Sequence, residues 1–222
     1  MEDKRKKTQK LCYLCGKPGA DTVDHIPPKG IFPKKPAGRL ITVPAHHLCN
    51  HGFHKDDELF RNLIIMASWR TLEGRKAWKE QVLPSWQKNP GAKRDLQKRL
   101  THVWVKDKIS EALIRAPGIK IEIPLVERQI DRWTRGLFYR RFKEPMPPDL
   151  KVHVEKLNLP EQSLVPFLTE LAKQGVRPKW VDVEPNVFTY KYLITYESKY
   201  MGLAIFVFFD TEVYVGSTGI KL

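Results

Sequence analysis

The three cysteines of this 222-residue chain, Cys12, Cys15 and Cys49, share one stretch with five of its seven histidines: His25, His46, His47, His51 and His54. Nothing else in the sequence constrains the fold as strongly, because thiolates and imidazoles gathered this closely are the preferred ligands of a zinc ion. Cys12 and Cys15, with two residues between them and Gly16 behind, form a knuckle that can turn both thiolates toward one ion. If a second knuckle mirrors the first, the partner of Cys49 sits three residues before it, and His46 occupies that place. Cys12, Cys15, His46 and Cys49 then make a tetrahedral three-sulfur, one-nitrogen set suited to a closed structural Zn2+ site. His47 is the competing imidazole for the fourth corner. The other reading, a core Cys49 beside a redox-active Cys12–Cys15 pair, leaves the clustering of all three thiols unexplained.

Charge narrows the partner class. The formal net charge is +14, and residues 1–150 carry 31 Lys and Arg against 17 Asp and Glu, whereas residues 151–222 carry 8 of each. Such a one-sided field concentrates polyanions, so nucleic acid, DNA or RNA, is the leading partner class, and an anionic membrane surface or an acidic protein fits the same field. A hydrophobic content of 41% and six tryptophans place the chain among folded proteins. No apolar run approaches the roughly 18 residues of a membrane span. The basic N-terminus lacks the apolar stretch of an export signal, so the expectation is a cytoplasmic protein with no membrane partner.

Along the chain, residues 1–10 read as a basic arm. Thr22–Ile26 has strand character and stops at Pro27-Pro28, and residues 27–38, with four prolines and two glycines, form a loop. Residues 39–43 make a second strand, ended by Pro44, that pairs with the first as a hairpin. The stretch from His46 to His54 leads into a helix whose apolar positions Leu59, Phe60, Leu63, Ile64 and Ala67 recur at three- and four-residue spacing. If that helix includes Asn50, then Asn50 and His54 share a face. Helices are expected over 73–87 and 93–105, a short strand over 120–123, and a basic helix over 125–143 that Gly136 breaks or bends. A strand over 149–157, an amphipathic helix over 160–175 and three aromatic, β-branched strands over 187–196, 202–209 and 212–216 complete the chain.

Cys-x-x-Cys, then Asp24-His25-Ile26-Pro27-Pro28, then a second knuckle ending in Cys49-Asn50, resembles the HNH endonucleases of the ββα-metal fold in their zinc-stapled form. The resemblance covers about residues 10–70. It implies that His25 is the general base that activates water. It further implies that Asp24 and Asn50 hold one catalytic divalent cation, Mg2+ or Mn2+, at the scissile phosphate. His54, four residues beyond Asn50, is added from its spacing as a further ligand or phosphate contact. Lys29, Lys34, Lys35, Arg39 and Lys55 are the candidate contacts to the nucleic-acid backbone. Two positions depart from the family pattern: His46 stands where a cysteine is usual, and Ile41-Thr42 replaces the middle Asn that steadies the loop behind the catalytic His.

The expected fold class is α+β. A zinc-bound ββα-metal (treble-clef-like) HNH module over 11–72 is followed by a helical segment over 73–115. An α+β C-terminal domain over 116–222, an antiparallel sheet with helices, follows; no motif assigns it a role, and homodimerisation, target recognition and a regulatory protein partner are all open to it. The expected function is a metal-dependent DNA endonuclease. The alternative is a non-catalytic zinc module that binds nucleic acid or protein through its basic surface. Asp24 and His25 separate the two, since a binding module needs neither at that place.

Overall fold

A computed structural model of the chain describes residues 10–106, 110–157, 180–195 and 198–219. Residues 1–9 of the expected arm and the helix expected over 160–175 lie outside the described residues. Strands β1 (Thr22–Ile26) and β2 (Ile41–Ala45) pair antiparallel, with Thr22 opposite Ala45 and Ile26 opposite Ile41. Strand alternation splits them into an inner face of Asp24, Ile26, Ile41, Val43 and Ala45, all buried, and an outer face of Val23, His25, Thr42 and Pro44. Pro44 was expected to end the second strand but sits inside it. Its missing N–H lies on the outer edge of the ribbon, where β1 asks for no bond, and its carbonyl there accepts the Tyr13 N–H at 3.0 Å.

The helix expected from His46 is two helices, α1 (His47–His51) and α2 (His54–Ala67), separated at Gly52-Phe53. The Phe53 N–H bonds the Asn50 carbonyl at 3.1 Å, which tightens the turn. Asn50 and His54 therefore stand on different helices, not on one face. Next, α3 (Leu72–Ala77) runs through a π turn at Trp78–Val82 into α4 (Leu83–Lys88), where Pro84 withholds a ladder donor. Asn89 then caps α5 (Pro90–Lys98), its side chain accepting the Ala92 N–H at 3.3 Å.

The helix expected over 93–105 stops at Lys98. Leu100–Lys106 is instead β3, paired antiparallel with β4 (Leu113–Ile119). Leu96, Leu100 and Val103 mimic helical spacing, but Thr101, Val103, Trp104 and Val105 are strand formers, and that preference wins. Residues 120–123 are likewise not a strand. Helix α6 (Ile123–Phe142) begins there, with Pro124 in its first turn, where no N–H is needed.

Helix α6 is the centre of the molecule and does not break at Gly136. A Cβ at Gly136 would lie 1.7 Å from Ile26 Cδ1, so the glycine lets the helix rest on β1. Trp133, wholly buried, meets Phe60, Phe208 and Phe206 at ring distances of 5.0, 5.7 and 5.9 Å. The last two belong to a five-stranded antiparallel sheet of order β5–β9–β8–β7–β6. Its strands are β5 (Val152–Leu157), β6 (Val181–Glu184), β7 (Phe188–Ile194), β8 (Gly202–Phe208) and β9 (Glu212–Thr218). One continuous apolar cluster runs from Tyr13 and Ile26 through Trp133 to Phe208 and Tyr214. Leu203, Ile205, Val207, Val213 and Val215 form a second buried cluster. The chain is thus a mixed helix and sheet protein with an antiparallel C-terminal sheet. Among the described residues, no helix is long and apolar enough to cross a membrane.

Candidate metal centre and the His25 face

The first knuckle is closed by backbone bonds. Cys12 donates to the Lys17 carbonyl and Gly16 to the Cys12 carbonyl, each at 2.9 Å, with Gly16 at φ +73° in the left-handed region. The turn presents Cys12, which is buried, and Cys15, which is exposed. His46 caps the N-terminus of α1, its N–H directed at Cys12 Sγ at 3.4 Å, and Cys49 follows one turn later. The four donor atoms all lie within 4.8 Å of one another, and among the described residues no other group of three or more His, Cys, Asp and Glu does so.

His46 Nδ1 is 3.3 Å from Cys15 Sγ and 3.9 Å from Cys49 Sγ. Ligands of a tetrahedral zinc, about 2.3 Å (sulfur) and 2.0–2.1 Å (nitrogen) from the ion, stand roughly 3.5–3.8 Å apart, so the set could hold zinc. His46 Nε2, 3.1 Å from the Pro18 carbonyl, can donate there and leave the Nδ1 lone pair facing the thiols. His47, the competing imidazole, takes no part: its ring stacks on His51 at 5.6 Å. Burial and the neighbouring Cys12 and Cys15 push the Cys49 thiol up to about 11. Thiols crowded this way cannot all ionise unaided, and a bound cation removes that conflict.

Each edge of the hairpin is pinned by one knuckle. Tyr13 of the first bonds β2 at Pro44, and Asn50, just past the second, donates its Nδ2 to the Val23 carbonyl of β1 at 3.4 Å.

Asp24 and His25 point to opposite faces. Asp24, on the inner face, accepts the Tyr13 hydroxyl and makes an ion-pair contact with Arg132 Nε at 3.3 Å. Arg132 also contacts Asp57 at 2.9 Å, donates to its Oδ2 from Nη2 at 3.2 Å, and lies 4.6 Å above the Phe53 ring. Gln129 donates to the same carboxylate at 3.0 Å. Arg132 is 1% and Asp24 4% exposed. Burial opposes the guanidinium charge, but Tyr13, Asp24 and Asp57 around it outweigh that cost and hold its pKa up. Tyr13, Arg132 and Asp57 are the members of this site that the sequence reading missed. Their partners are distant along the chain and follow no motif spacing.

His25, on the outer face, is half-buried. Burial brings its pKa below the ordinary 6.5; Asp24 works the other way, and Lys29 adds to the lowering, so the ring is neutral near pH 7. His54 is exposed, its ring 6.0 Å from that of His51. Among the described residues, Asp24, His25 and His54 do not form a common metal-ligand group. Lys29, Lys34, Lys35, Arg39 and Lys55 are all exposed. Compared with known proteins, the chain matches no family model, no curated protein and no solved structure.

Proposed function

We propose that the chain is an HNH-type endonuclease that hydrolyses phosphodiester bonds in DNA, with its zinc knuckles stapling a ββα module and His25 acting as general base. The observation that carries the reading is the outward, half-buried His25 on a hairpin clamped at both edges by the two knuckles. A neutral imidazole held there can take a proton from water as it attacks phosphorus. The exposed Lys29, Lys34, Lys35, Arg39 and Lys55 supply charge for positioning the phosphate backbone. A divalent cation, Mg2+ or Mn2+, would stabilise the leaving 3′ oxygen in such chemistry. The inward Asp24, engaged by Tyr13 and Arg132, does not fit the role of its ligand beside His25.

That engagement favours a second reading, in which the same zinc-stapled module binds nucleic acid without cutting it and Asp24 only anchors the hairpin. Supercoiled plasmid incubated with the purified protein in magnesium or manganese separates the two. Nicking that disappears in His25→Ala, with zinc content unchanged, is the expected result. Full activity in His25→Ala would overturn the mechanism, and DNA binding without any nicking by the wild type would leave the binding module as the function.

A further inference from the structure

The β3–β4 ribbon is the one sheet among the described residues with no buried position. Every residue of β3 is exposed, and Trp104 and Leu113 stand 69% and 68% open to water. A two-stranded ribbon is marginal on its own, and an apolar surface left this open marks a contact face. The register sorts its side chains. On one face Trp104 stands opposite Arg115, His102 opposite Pro117 and Lys106 opposite Leu113. On the other, Val103 faces Ala116 and Val105 faces Ile114.

Charge selects the occupant. Neither strand contains an acidic residue. Among the described residues of the ribbon and its ends, Lys106 pairs with Glu111 at 3.3 Å and Arg99 with Glu122 at 2.9 Å, which leaves Arg115 on the ribbon and Lys120 just beyond it as cations open to an approaching group. A second copy of the chain would set these cations against themselves, between partners that each carry +14. A polyanion meets no such penalty.

We infer that the β3–β4 ribbon is a nucleic-acid-binding arm that seats its Trp104–Arg115 face on a DNA duplex. Seven residues at about 3.3 Å each make an arm of roughly 23 Å. The major groove of a duplex admits a two-stranded ribbon. Arg115 would take a phosphate and Lys120, beyond the strand end, adds to the positive field, while Trp104 offers an aromatic surface to sugars and base edges in the groove. The choice of DNA as the nucleic acid rests on the proposed function; the exposure and charge of the ribbon do not.

The test is fluorescence anisotropy of a labelled DNA duplex titrated with full-length protein across a salt series. Trp104→Ala combined with Arg115→Ala is expected to weaken binding about tenfold or more. Arg115→Ala alone should reduce the salt slope by about one. Thermal midpoint and zinc content, measured on the same samples, should match the wild type because both side chains are exposed. Unchanged affinity in the double variant overturns the arm, as does a wild type that does not bind duplex. A double variant that loses self-association in sedimentation equilibrium while binding DNA normally also overturns it and gives the face to a second copy. Plasmid cleavage by His25→Ala is read separately, so failure of the arm and failure of the nuclease reading leave different signatures.

Discussion

The described residues contain two two-stranded antiparallel ribbons with opposite fates. The β1–β2 ribbon buries one face of five residues and has both edges bonded by the knuckles. The β3–β4 ribbon is longer, with seven paired positions, and buries none of them. Ladder hydrogen bonds are common to both, so they do not account for the difference. What distinguishes the first is a Cys3His cluster that could hold a metal at its rim and a buried charge network beneath it. The first ribbon is therefore built into the fold and presents His25 from a fixed frame, while the second is left for a partner to cover.

The comparison breaks first at the thiols. Cys12→Ala or Cys49→Ser should release zinc and unfold the N-terminal module, because zinc binding in small structural sites contributes about 10–16 kcal/mol to folding. Metal analysis with limited proteolysis reads this out, and a well-folded, metal-free variant would show that the knuckles do not depend on an ion. The next largest effect belongs to Arg132. Arg132→Met leaves the buried Asp24 and the half-buried Asp57 without their cation and should cost about 3–5 kcal/mol in urea denaturation. A loss well under 1 kcal/mol would mean that the inner face of β1–β2 is held by its apolar residues alone.

A pH profile then sharpens the role of the outer face. The base form of His25 exists above its pKa, which burial lowers from 6.5. Cleavage should therefore be retained at pH 6.5 and fall only as pH drops through that lower value. A midpoint above 6.5 would point to a different titrating group. The smallest effect is expected at the second ribbon, where Trp104→Ala should change stability by no more than about 0.5 kcal/mol, as exposed substitutions usually do. A larger loss by thermal denaturation would show that the ribbon packs within the chain.

The candidate metal-ligand cluster was legible because zinc ligands recur with fixed residue type and spacing: Cys12-x-x-Cys15 and His46-x-x-Cys49 pair on sequence alone, and the structure brings all four together. Thr22–Ile26 was legible because strand alternation ends at a proline pair. Pro44 misled because its edge of the ribbon faces a knuckle and not a strand, so the usual cost of a strand proline is absent. The β3 strand misled because a ribbon exposed on both faces leaves no inside–outside alternation, while Leu96, Leu100 and Val103 imitate a helix. The partners of Asp24 were not legible. Strand alternation turns it inward with Ile26, and only the docking of α6 on β1 through Gly136 brings Arg132 within reach.

Zinc K-edge X-ray absorption on the purified full-length protein tests the frame under β1–β2 most directly. One zinc per chain in a shell of three sulfurs at about 2.3 Å and one nitrogen at about 2.0–2.1 Å is the expected result. A protein that is folded without zinc, or a zinc shell of oxygen and nitrogen alone, would contradict it.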